Sequence, residues 1–153
     1  MLYQANRPPI YELKNWSRPG LLSVRLEGAL YFANAERVRD RITEIVEERK
    51  GLRVLLLESS AIRDLEYTGM EALIDMARDM RAKGTNLWLA GLNEEPKDML
   101  RRRIHMQRVP GVYFFPDIRN ALRFYDESQV RDDPNFEEIP RYIRDASTSL
   151  KAA

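Results

Sequence analysis

Cysteine is absent from the 153 residues, so neither a disulfide nor a thiolate-ligated zinc site is available. Histidine occurs once, as His105, which removes most histidine-based metal and triad chemistry. Excess charge of either sign is missing. The 25 basic and 24 acidic residues leave a formal charge of +1, whereas a general nucleic-acid binder is usually strongly basic. No apolar run approaches the roughly 18–20 residues of a membrane span. The opening MLYQANRPPI lacks a basic region followed by an apolar one, so it does not read as a secretory signal. Phosphate-cradling loops of the G-x-x-x-x-G-K-[ST] or G-x-G-x-x-G kind are missing too. No nucleophile sits beside a base in a catalytic motif. These absences predict a cytosolic domain with no catalytic residues, no metal and no cofactor.

What is present is a strand–helix alternation organised around residues 53–84. Residues 54–57, VLLL, form a short apolar run with no polar alternation. That pattern predicts a strand covered on both faces. After a short loop, Met70, Leu73, Ile74, Ala77 and Met80 recur at three- and four-residue steps, one stripe of a helix. Lys83 and Gly84 form its basic last turn and closing glycine. Thr68 stands three residues before Glu71, the spacing of a capping box. Thr68 is thus expected to cap the helix at the carboxyl end of a central strand, where open α/β sheets usually dock ligands and partners.

The flanks extend the alternation. Residues 11–13 read as a short edge strand. Residues 21–27 alternate partly and read as a half-buried strand, with Ser23, Arg25 and Glu27 on the open face. Gly28 interrupts it before the apolar run 29–32. Asn34 is placed to cap a helix over 35–50, whose stripe is Val38, Ile42, Ile45 and Val46. Residues 86–90 read as a further strand with Trp88 inside it. Pro96 suits the first turn of the next helix, with Met99, Leu100 and Ile104 inward and Arg101, Arg102 and Arg103 mostly outward. Residues 112–115 read as an aromatic strand, and Asp117 as the cap of a last helix carrying Ile118, Ala121, Leu122 and Tyr125. From 127 the pattern fails. A polar tail follows, either resting on the domain through Phe136, Ile139, Tyr142 and Ile143 or disordered. The expected organisation is a lead-in over 1–19, a domain over 20–126 and a tail over 127–153. The expected fold class is α/β, a mixed sheet with a parallel core.

GLLSVRLEGALYFANAERVRDRI, LLLESSAIRDLEYTGMEAL and GTNLWLAGL together resemble a STAS domain. The resemblance is nearest to the version at the cytoplasmic C-terminus of SulP-type anion permeases, and LYFANAERVRDRI is its most specific part. It implies a SpoIIAA-like sheet of about four to five strands with four helices. It also implies a non-catalytic regulatory domain acting by protein–protein contact. The implied location is the inner face of the cytoplasmic membrane, as part of an integral membrane transporter for sulfate, bicarbonate or a dicarboxylate. The implied partners are the membrane domain of the same transporter or a cytosolic regulatory protein. A nucleotide, an anion and a second copy of the chain are further candidates, and nucleic acid is not. The rival readings are a free-standing switch like an anti-sigma-factor antagonist and a small-molecule or nucleotide sensor.

In anti-sigma-factor antagonists the residue before the turn glycine is a phosphorylated serine, which places Thr68 as the phospho-acceptor of the turn Glu66, Tyr67, Thr68, Gly69. Glu66 stands where the aspartate is usual, and Tyr67 where serine is usual. A phosphate at a helix N-terminus meets a favourable dipole, yet Asp64, Glu66 and Glu71 would repel it, and the plainer role for Thr68 is capping. Arg101, Arg102 and Arg103 are candidates for contact with acidic headgroups or with a membrane domain, against the plainer role of a solvated face. Asn34, Tyr31 and Phe32 are candidates for partner or ligand contact, against capping and packing.

Overall fold

The structure is a computed structural model that describes residues 10–30 and 32–130; the side chains of residues 29, 30, 32–34, 129 and 130 stand outside that description. Residues 1–9 of the lead-in and residues 131–153 of the tail also lie outside it, and with them the contacts expected of Phe136, Ile139, Tyr142 and Ile143.

Among the described residues, seven strands and four α-helices follow one another as β1 (Ile10–Glu12), β2 (Leu21–Leu26), β3 (Gly28–Leu30), α1 (Phe32–Glu47), β4 (Val54–Glu58), β5 (Ile62–Leu65), α2 (Tyr67–Ala82), β6 (Asn86–Ala90), α3 (Glu94–Met106), β7 (Tyr113–Phe115) and α4 (Ile118–Val130). The main sheet has five strands in the order β1-β2-β4-β6-β7. β1 is antiparallel to β2, and the other pairs are parallel. The mixed sheet with a parallel core is therefore present.

The side chains of β4 alternate between two cores. Leu55 and Leu57 join Val38, Ile42, Leu73, Ile74 and Leu100 on the face covered by α1, α2 and α3. Val54 and Leu56 join Trp88, Ala121, Leu122, Phe124 and Tyr125 on the face covered by α4. The four apolar side chains of β4 have 0% exposure, as a run covered on both sides requires. The strand order explains the lopsided layers. Each parallel crossover steps to the next neighbour in the same direction, and such crossovers share one hand. The first three helices therefore fall on one face, and only a helix added after the last strand can cover the other.

Several expectations are corrected. β2 is not half-buried, since Ser23 has 0% exposure. The lead-in folds over it: Ser23 Oγ donates to the Trp16 carbonyl, and Ser17 Oγ accepts the Ser23 N–H at 3.1 Å. α1 starts at Phe32, so Asn34 lies in its first turn and is not its cap. β3 runs straight into the helix, which leaves no room for a separate cap at 34. The stretch 62–65, expected as loop, is strand β5, paired in parallel with β3 as a second, two-stranded sheet. Only Ile62 of that strand is buried, so its apolar signal is faint. Met99 is 39% exposed, and the buried positions of α3 are Lys97 and Leu100. α4 continues to Val130, past the end of the apolar stripe.

Candidate functional site

The turn 66–69 is set by what precedes it. β5 ends at Leu65, and Glu66 takes an extended conformation, φ −81° and ψ 169°, before α2 begins at Tyr67. The first helical bond runs from the Met70 N–H to the Glu66 carbonyl at 2.9 Å. Glu66 is thus the N-cap, and it makes no side-chain capping bond. Thr68 is the second residue of the helix, so the expected Thr68–Glu71 capping box does not form. A box needs the cap and the third helical residue, and here those are Glu66 and Gly69.

Glu71 turns instead toward α3. Its Oε1 accepts from Arg103 Nη1 at 3.1 Å and from Gln107 Nε2 at 3.2 Å. A charged donor offers a stronger bond than a backbone amide. The same guanidinium lies over the ring of Tyr67, with Cζ 4.2 Å from the ring centroid, a cation–π geometry. Gly69 is buried, while Glu66, Tyr67 and Thr68 are exposed, Tyr67 at 62%. The turn therefore forms an open rim, locked to α3 through Arg103.

The three consecutive arginines diverge, as a turn of about 100° per residue dictates. Arg101 lies over Phe114 at 5.3 Å and pairs with Asp98 at 3.8 Å. Arg102 is exposed and, among the described residues, reaches only the Asp98 carbonyl, at 3.4 Å. Arg103 alone joins the turn. The expectation that the cluster is mostly outward thus holds best for Arg102. Asn34 and Phe32 lie in the first turn of α1 with their side chains outside the described residues, and Tyr31 lies wholly outside them.

Sequence reasoning missed Glu71 and Gln107 as the bridge between helices, and Met99 and Met106 as surface residues. Met106 is 79% exposed. One signal was available: 99, 102, 103 and 106 share a helical stripe, and arginine occupies two of those four places. A stripe so charged does not face a core. Among the described residues, no three acidic or histidine side chains gather as a metal site needs, and no helix is long and apolar enough to cross a membrane.

The STAS domain family model matches residues 15–121. Sulfate transporter 1.2 of Arabidopsis thaliana is 27% identical over 97 residues, a match covering 58% of this chain and 14% of that protein. The chain thus corresponds to a small part of the curated relatives it matches. In fold, murine Solute Carrier 26 family member A9, an anion transporter, superimposes with a TM-score of 0.67 at 19% identity, over 82% of this chain and 23% of that one. The SulP transporter STAS domain of Vibrio cholerae superimposes with a TM-score of 0.53 at 22% identity, over 71% of this chain and 82% of that one. A family match over most of the chain, on a five-stranded mixed sheet of the same fold, makes this chain a member of the STAS domain family.

Proposed function

We propose that the chain is the non-catalytic cytoplasmic regulatory domain of a SulP-type anion transporter, and that it works by contact. The observation that carries this reading is the alignment of this module with a 14% share of a sulfate transporter. The geometry supports it. The domain presents an open rim at Glu66, Tyr67 and Thr68, backed by Arg103 of α3. The membrane domain of the same transporter, or a cytosolic regulator, is the partner proposed for that rim. The test is radiolabelled anion uptake into proteoliposomes by the longer protein that carries this module, with and without residues 15–130. Deletion should reduce uptake while the membrane part still assembles. Equal uptake, or a reading frame with no membrane spans beside this module, would overturn the proposal.

A second reading is favoured by one observation. Thr68 is exposed on the first turn of α2 and holds no capping bond that a phosphate would displace. Phosphorylation there would add about −1.5 to −2 charge next to the Glu66 carboxylate. Intact mass of the chain after co-expression with kinases from its source tests this. A single added phosphate that Thr68→Ala abolishes supports the switch. An unchanged mass with every kinase removes it.

A further inference from the structure

Among the described residues, α4 is the one α-helix on the Trp88 face of the main sheet, and it packs on β4, β6 and β7. Strands lie about 4.8 Å apart and a helix with its side chains is about 10–12 Å across, so one helix covers about two to three strands. The strip of that face over β1 and β2 is left over. Register identifies what stands on it. Leu21 belongs to the α4 core, so Ser23 and Arg25 alternate onto the same side of β2, and Tyr11 stands opposite Arg25. Ile10 packs with the other core. The short 3-10 turn Lys14–Trp16 lies over Ser23. Two aromatic side chains remain exposed there, Tyr11 at 52% and Trp16 at 36%.

The carboxylates around the strip are committed. Glu12 pairs with Arg49 at 2.6 Å and Asp126 with Arg18 at 3.4 Å. Glu27 and Glu58 both meet Arg25, at 3.2 and 3.8 Å. Lys14, Arg119 and Arg123 are not: each is exposed and makes no ion pair among the described residues. Arg119, Arg123 and Asp126 follow at four- and three-residue steps, which places both arginines on the flank of α4 that Asp126 turns toward Arg18.

The chain that follows α4 has the complementary composition and leaves from the right place. α4 opens just past the carboxyl end of β7 and runs toward the amino ends of the strands, where the Tyr125 hydroxyl donates to the Pro19 carbonyl. Residues 131–153 therefore set off from the foot of β2. From the level of Leu21 to that of Arg25 and Tyr11 is about 13 Å along a strand. Phe136 lies six residues past Val130, and six extended residues span up to about 20 Å. Asp132, Asp133, Glu137 and Glu138 bracket Phe136, and Ile139, Tyr142 and Ile143 follow.

We propose that residues 132–143 fold back across the β1–β2 strip as an intramolecular cover for Tyr11 and Trp16. Phe136, Ile139 and Ile143 supply the apolar contact, and the acidic run 132–138 meets Lys14, Arg119 and Arg123. The tether gives the tail an effective concentration in the millimolar range, so a contact too weak to hold a separate peptide suffices. A partner approaching this side of the sheet then has to displace the tail. The inference stands apart from the transporter reading.

The test uses the full 153-residue chain, whose lack of cysteine lets Ala146→Cys carry a single nitroxide label. Paramagnetic broadening is read in amide and indole NMR spectra. The label should broaden the Tyr11 amide and the Trp16 indole and leave Arg39 and Asp75, on the opposite face, sharp. Ile139→Asp with Ile143→Asp should lower the docked fraction about tenfold or more, as loss of two buried apolar side chains does, and should raise acrylamide quenching of Trp16. Trp88, at 0% exposure, stays shielded throughout. Arg119→Glu with Arg123→Glu should also reduce the broadening. Circular dichroism checks that the variants fold. Sharp Tyr11 and Trp16 signals, broadening confined to another face, or broadening that appears only between spin-labelled and isotope-labelled copies would each overturn the proposal.

Discussion

Gly111 holds a φ of +79° in the turn before β7, and a Cβ there would lie 2.5 Å from both Arg81 Nη1 and Asn86 Oδ1. Those two atoms are bonded to each other at 2.8 Å. Gly111→Ala therefore combines a left-handed backbone with a wedge in a made hydrogen bond. It should lower stability by about 1–3 kcal/mol, read from urea denaturation. An unmoved midpoint would mean that the Arg81–Asn86 pair swings aside at no cost. The Arg103–Glu71 pair makes the opposite case. Its side chains are 30% and 29% exposed, so solvent screens them. A double-mutant cycle with Arg103→Ala and Glu71→Ala should give a coupling of only about 0.2–1 kcal/mol, shrinking as salt rises. A coupling insensitive to salt would contradict this. The sequence exposed much at this scale: the apolar stripes of α1 and α2, and Trp88 as a core residue, are visible in spacing alone. It hid the partner of Glu71, because the local candidate, the Thr68 backbone amide, competes with an arginine 32 positions away that only the fold brings close.

Helix starts show which local signals hold. Asp117 Oδ1 accepts the Asn120 N–H at 2.8 Å, so the cap of α4 foreseen from sequence is made. Asn93 opens α3 with no side-chain bond. Asp117→Ala should cost about 0.5–2 kcal/mol in thermal melts, and Asn93→Ala distinctly less. Equal costs would show that the capping bond is not what Asp117 contributes. The positions that failed, Asn34 and Thr68, share one cause. Each follows a strand of the small β3–β5 sheet, and the strand feeds the helix directly: β3 ends at Leu30 with α1 opening at Phe32, and β5 ends at Leu65 with α2 opening at Tyr67. Strand IRDL buries only Ile62, too little for a periodic signal, and without it the helix start cannot be placed. Met99 reads as inward because methionine is apolar, while Lys97 takes the buried place by folding its amine onto Glu94 at 2.6 Å.

At the scale of the whole fold, the sheet separates two cores among the described residues. Leu57, in the central strand, has 0% exposure and packs on the three-helix face. Leu57→Ala should cost about 2–5 kcal/mol. It should do so in one cooperative transition, with Trp88 fluorescence and far-UV ellipticity changing together. Separate transitions would show that the two faces unfold independently. The alternation of strands and helices was legible because β4, at the centre of the sheet, is a continuous apolar run over Val54, Leu55, Leu56 and Leu57. The coverage of β2 was not, because the groups that hide Ser23 belong to a polar lead-in whose own sequence carries no core signal. The order β2-β4-β6-β7 has a consequence for biosynthesis. Each parallel strand leaves the ribosome after the neighbour it must join, so the sheet can be laid down in the sequence of translation. The helix that dries the Trp88 side is the last α-helix of the described residues to emerge. Until it arrives, the nascent chain carries a wet aromatic surface, and that interval is when a chaperone has most to hold.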